Sequence, residues 1–93
     1  MLMLEIEIRN PSGLHARPAA MFVKAAAAGK SRVRVANLAR EGADADARSI
    51  LGVLGLGAGR GTLIRLTVEG EDELDVMESL HRLIEGGLGE PPD

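Results

Sequence analysis

Leu4, Ile6 and Ile8 alternate with Glu5, Glu7 and Arg9, the period-two pattern of a strand with one buried face. The next segment changes period. From about Ala16 to Ala28 the chain is strong helix-forming sequence, and Gly29 is placed to close that helix as a C′ residue. Alternation returns at Val33 and Val35, set between Arg32 and Arg34. A loose hairpin over Asn37 to Gly42 then leads to a short third strand, Ala43 to Ala47. Arg48 to Leu54 reads as a short helix with Ser49 near its start, and Gly55, Gly57, Gly59 and Gly61 punctuate a flexible turn. Thr62 to Val68 is a strand with Ile64, Leu66 and Val68 on one face. Gly70-Glu71-Asp72-Glu73 opens a last helix whose acidic start suits the positive end of the dipole. Leu74, Met77, Leu80 and Ile84 form its apolar stripe, Gly86-Gly87 ends it, and Leu88 to Asp93 is a tail frayed in its Pro-Pro portion.

The order is βαββαβα, with no internal repeat. Alternating strands put one sheet face in water, so two long helices must cover the other. The expected fold is an α/β (α+β) open-faced sandwich, a four-stranded antiparallel sheet with helices on one face. It forms one domain over residues 1–89, with 90–93 as a short C-terminal tail.

Composition narrows the chemistry. The chain has 93 residues, 45% of them apolar, yet Phe22 is the only aromatic, so the core is aliphatic and offers no platform for stacking bases. A net charge of −3 argues further against a nucleic-acid partner, whose phosphates reward a basic face. With no cysteine there is no disulfide framework, thiolate nucleophile or cysteine metal site. No apolar run approaches a membrane span, and Met1 to Glu5 lacks the basic region of a signal peptide. These features point to a cytoplasmic protein without membrane insertion.

The candidate chemistry lies at residues 10 to 20. A short polar loop, Asn10 to Gly13, ends at Leu14, and His15 falls where a helix N-cap would sit. Arg17 follows two places on, and Pro18 occupies the first turn, where its missing N–H costs nothing. A helix start offers unpaired N–H groups and the positive end of a dipole, which attract phosphate. Arg17 adds a guanidinium fork for phosphate oxygens. An imidazole placed there is a candidate phosphoryl acceptor, and no metal site is implied.

Gly13-Leu14-His15-Ala16-Arg17-Pro18-Ala19-Ala20 resembles the active-site signature of the HPr family, the histidine-containing phosphocarriers of the bacterial phosphoenolpyruvate:sugar phosphotransferase system. Arg48 to Gly57 resembles that family's second signature, and the similarity spans roughly residues 4 to 90. The resemblance implies a covalent carrier with no turnover and no cofactor. His15 would take a phosphoryl group on Nδ1 from phospho-enzyme I and donate it to enzyme IIA of sugar permeases, with Arg17 steadying the phosphate. It also implies a monomer, and leaves open the nitrogen-related branch or supply of dihydroxyacetone kinase. A non-catalytic regulatory module acting through Ser49 is disfavoured because His15 is present.

Ser49 stands between two readings, an ordinary N-cap and the serine that HPr kinase/phosphorylase modifies in many family members, which adds roughly two negative charges. Ile50, Leu51 and Leu54 cannot all face a small core. With Ala16, Ala20 and Lys24 they are expected to form an apolar partner surface rimmed by positive charge. The segment around Leu38 to Glu41 is about three residues longer than in the resembling family, and Asp46, Arg48 and Ala27 depart from its usual residues. His81, inside the last helix, is expected to be scaffold.

Overall fold

Cross-strand pairing of the alternating apolar residues builds the sheet. The computed structural model describes residues 1–91 and contains β1 (Leu2–Glu7), α1 (Ala16–Ala27), β2 (Arg32–Asn37), β3 (Asp44–Asp46), α2 (Ile50–Gly55), β4 (Leu63–Glu69) and α3 (Glu73–Glu85). The strands lie in the order β1-β4-β2-β3, every neighbouring pair antiparallel. In register, Leu4 faces Leu66, Leu66 faces Val35 and Val35 faces Ala45, so one apolar row crosses the whole sheet. The opposite face is polar and wet. There Arg65 lies across from Glu5 and donates to its Oε2 from Nε (3.0 Å) and Nη2 (2.7 Å). The open-faced sandwich expected from sequence is the fold observed.

The helices cover the apolar face. Pro18, Ala19, Phe22 and Ala26 are buried on α1, Val53 on α2, and Val76, Met77, Leu80 and Ile84 on α3. Phe22, the single aromatic, is fully buried within an otherwise aliphatic core. Leu74 does not belong to the α3 stripe: it is 68% exposed, and Val76 takes the inward position. The buried arc of α3 runs through residues 76, 77, 80 and 84, and at about 100° per residue position 74 lies beyond its edge.

Gly29 stands at C′ as expected, but not in the left-handed conformation of a C′ glycine. The first helix ends one residue earlier, with Ala28 as C-cap in right-handed conformation, and Gly29 is absent from the positive-φ glycines. Its reason is close approach: a Cβ there would collide with Cγ2 of Val76 and lie 2.9 Å from Oδ2 of Asp72. Asp72 explains why α3 crowds this corner. Its carboxylate accepts from the backbone N–H of Lys30 (2.8 Å), the N–H of Ser31 (3.0 Å) and the Ser31 hydroxyl. It therefore makes no side-chain cap of its own helix and instead ties the start of α3 to the entry of β2. Glu73 accepts from the N–H of Gly70 (3.2 Å) and pairs with the N-terminal ammonium (3.1 Å).

Candidate functional site

His15 is the N-cap residue of α1, extended at φ −134° and ψ 161°, and its ring makes no capping hydrogen bond. It is exposed, as are Ala16 and Arg17, while Leu14 before it and Pro18 after it are buried. Pro18 has no N–H to offer. Among the described residues, the N–H groups of Ala16 and Arg17 have no protein acceptor, and the first helical donor is Ala19, to the His15 carbonyl at 3.3 Å. Two free donors, an unpaired guanidinium and an accessible imidazole thus share one helix start, an arrangement suited to an anion. Ala16 is held at φ +50°, a left-handed conformation that costs an L-residue about 1 kcal/mol or more.

The loop reaches His15 along a supported path. Gly13 sits at φ +68°, and a Cβ on it would fall 2.6 Å from the carbonyl oxygen of Ala58 and 2.6 Å from Cα of Gly59. Leu14 N–H donates to that same Ala58 carbonyl at 2.8 Å. The glycine-punctuated segment expected as a flexible turn is therefore the floor under the histidine loop. It is pinned at its far end by Gly61 N–H to the Ile8 carbonyl (2.6 Å).

Ala20 and Lys24 follow Ala16 at four-residue spacing and are exposed along α1, and Lys24 pairs with no carboxylate among the described residues. α1 packs against α2. On α2, Ile50 is 40%, Leu51 80% and Leu54 37% exposed, three apolar side chains on six residues. Ser49 caps α2: its Oγ accepts from Gly52 N–H at 3.1 Å. Ahead of it, Asp46 accepts from the N–H of Arg48 at 2.9 Å, and this contact first, with the Arg48 side chain, holds its carboxyl below the usual range.

Three residues near the site escaped sequence reasoning. Glu90, assigned to the tail, accepts from Asn10 Nδ2 (2.8 Å), from Ser12 N–H (2.9 Å) and from Ser12 Oγ (2.7 Å), and these bonds hold its carboxyl below the usual range. Leu88, also assigned to the tail, is fully buried, whereas the last two residues lie outside the described chain. Arg40, in the longer segment, donates to the Leu56 carbonyl at 2.9 Å beside Asn37 Nδ2 (2.8 Å), closing the C-terminal end of α2. The Asn-Pro-Ser-Gly turn signal before His15 was the only local hint of the first contact. His81 lies on α3, paired with Glu85. Among the described residues no group of acidic, histidine or cysteine side chains has metal-binding geometry, and no helix is long and apolar enough to cross a membrane.

The family described as "PTS HPr component phosphorylation site" matches residues 3–86. The chain is 36% identical over 90 residues to the phosphocarrier protein HPr of Treponema pallidum, covering 97% of this chain and 99% of that protein. It is 40% identical to HPr-C-His from Thermoanaerobacter tengcongensis, with a TM-score of 0.90 over 98% of this chain and 99% of that one. It is also 41% identical over 83 residues to the multiphosphoryl transfer protein of Haemophilus influenzae. That match covers 89% of this chain and only 17% of the relative, so the chain spans less than a fifth of that protein's length. Sequence and fold together place the chain among small proteins of the HPr type. The chain belongs to the HPr family.

Proposed function

We propose that this chain accepts a phosphoryl group from phospho-enzyme I on His15 and passes it to enzyme IIA of sugar permeases. The observation that carries the reading is the exposed, uncapped imidazole of His15 above two unpaired N–H groups at the start of α1. A lone pair of the neutral ring, Nδ1 by the family resemblance, attacks phosphorus as the bond to the donor's histidine nitrogen breaks. The donor nitrogen keeps that electron pair. The phosphoryl oxygens gain the free N–H groups and the Arg17 guanidinium, while the leaving direction stays open to solvent and to the next acceptor. Exposed donors hold the anion without burying it, as a carrier requires. The reverse step, with enzyme IIA as acceptor, uses the same contacts.

Ala16, Ala20, Lys24, Ile50, Leu51 and Leu54 are assigned to the partner surface, supported by their exposure on two packed helices. Charge supports the same assignment: Arg17 and Lys24 face solvent without carboxylate partners, which suits acidic recesses on both enzymes. The protein works as a cytoplasmic monomer without turnover of its own. Incubation with enzyme I and phosphoenolpyruvate tests this. One acid-labile, base-stable phosphoryl group is expected on the wild type and on His81→Ala, and none on His15→Ala. An unlabelled wild type overturns the proposal.

A further inference from the structure

The residues after α3 return to the histidine loop by an improbable backbone route. Gly87, Leu88 and Gly89 are consecutively left-handed, at φ +89°, +52° and +82°. Leu88 is fully buried, its N–H bonded to the Leu83 carbonyl at 3.0 Å. The curl is completed by Glu90 N–H to the Gly87 carbonyl at 2.9 Å. A left-handed leucine costs about 1–2 kcal/mol, so this path needs a compensating contact, and the Glu90 carboxylate supplies three charge-assisted hydrogen bonds.

Their recipients matter. Ser12 is bound through both backbone and side chain. Asn10, only 3% exposed, shares its amide group between Glu90 and the Gly13 carbonyl (2.9 Å), while Gly13 N–H returns to the Asn10 carbonyl at 3.2 Å. The Asn10 Oδ1 is buried without a partner, so its N–H₂ side alone decides how the amide sits. The carboxylate is thereby coupled through one buried amide to the residue two before His15. From the other side, Ala58 and Gly59 press on Gly13. The loop is held between a C-terminal carboxylate and the glycine-rich floor.

We infer that Glu90 is a positioning residue for phosphoryl transfer at His15: it fixes the Asn10–Gly13 loop and so sets the height and direction of the imidazole over the α1 start. The inference rests on the role proposed for His15. Glu90 is not assigned to the docking face, so its loss should slow the transfer step without weakening partner binding.

The test uses enzyme I and phosphoenolpyruvate with this protein as the varied substrate. Glu90→Ala is expected to lower kcat about tenfold, with KM within about twofold of wild type and a broadened His15 ring resonance in proton NMR. Glu90→Gln keeps an acceptor oxygen and recovers kcat to within about threefold. Ser12→Ala, an exposed change that removes one of the three bonds, loses about threefold. A lower melting temperature with unchanged kcat makes Glu90 a purely structural residue and overturns the inference. A rise in KM alone places Glu90 in the docking face and overturns it too. If the wild type takes no label, the proposed function falls and this inference with it; a labelled wild type and an equally fast Glu90→Ala remove this inference alone.

Discussion

Leu51→Glu separates docking from folding. Leu51 is 80% exposed, so only about a fifth of its surface is protected by the protein. Full burial of a leucine is worth about 1.5–3 kcal/mol, which leaves roughly 0.3–0.6 kcal/mol to lose here. A carboxylate in the first turn of α2 returns a comparable few tenths through the helix dipole. The expected shift in melting temperature is under about 3 °C. Val53, in the same helix but fully buried, is the internal control: Val53→Ala should cost about 2 kcal/mol, roughly 10 °C. At the proposed partner surface the ranking is expected to reverse. A central apolar contact replaced by a charge facing an acidic recess costs about 2 kcal/mol or more, a rise in half-saturating concentration of about thirtyfold. Thermal melting by circular dichroism, paired with phosphorylation by enzyme I over a range of protein concentrations, reads both quantities. If Leu51→Glu melts as early as Val53→Ala, or is phosphorylated with unchanged concentration dependence, the assignment of α2 to the partner surface is wrong.

Other consequences follow from the same geometry. Gly13→Ala forces a Cβ against the Ala58 carbonyl and into a left-handed backbone, so it should destabilise by about 2 kcal/mol or more; a melting temperature equal to wild type would contradict the packing described. Arg17→Ala removes an exposed guanidinium without a protein partner, so melting should stay within about 2 °C, while phosphorylation slows about tenfold; equal rates would remove its phosphate role. Asp72, held acidic first by the Ser31 hydroxyl and then by the Lys30 N–H, gives stability that is complete above the ordinary carboxylate range near about 4. Because the folded value is the lower one, that contribution is lost as pH falls through it. Melting curves from about pH 6 to about pH 2 should therefore converge for wild type and Asp72→Asn at the acid end, and a constant gap would show that the carboxylate's charge is irrelevant.

The sequence makes legible whatever periodicity and local chemistry encode. The alternating strands, the three helices and the His15–Arg17 helix start all follow from spacing within a dozen residues. What failed was set by distant neighbours. Gly29 does follow the C-cap of α1, but its missing side chain makes room for Val76, which no local rule anticipates. Leu74 looked like a core residue because it is apolar and three before Met77. Val76 rather than Leu74 meets the core, on a helix anchored to the entry of β2 by Asp72 reaching across to Ser31. The contact between Glu90 and Asn10 joins residues eighty apart and leaves no trace in either segment's pattern. The glycine-rich turn likewise carries no local sign that Ala58 and Gly59 close on Gly13.

In the function proposed above, the phosphoryl group resides on His15 only in transit. The most direct measurement isolates the phosphorylated protein, assigns the modified atom by phosphorus NMR, and then adds unphosphorylated enzyme IIA in equal amount. A single Nδ1-phosphohistidine resonance from His15 is expected, disappearing as an equivalent amount of phospho-enzyme IIA forms and leaving Ser49 unmodified throughout. A phosphoryl group found on Ser49 or His81, or one that stays on His15 in the presence of the acceptor, would contradict it.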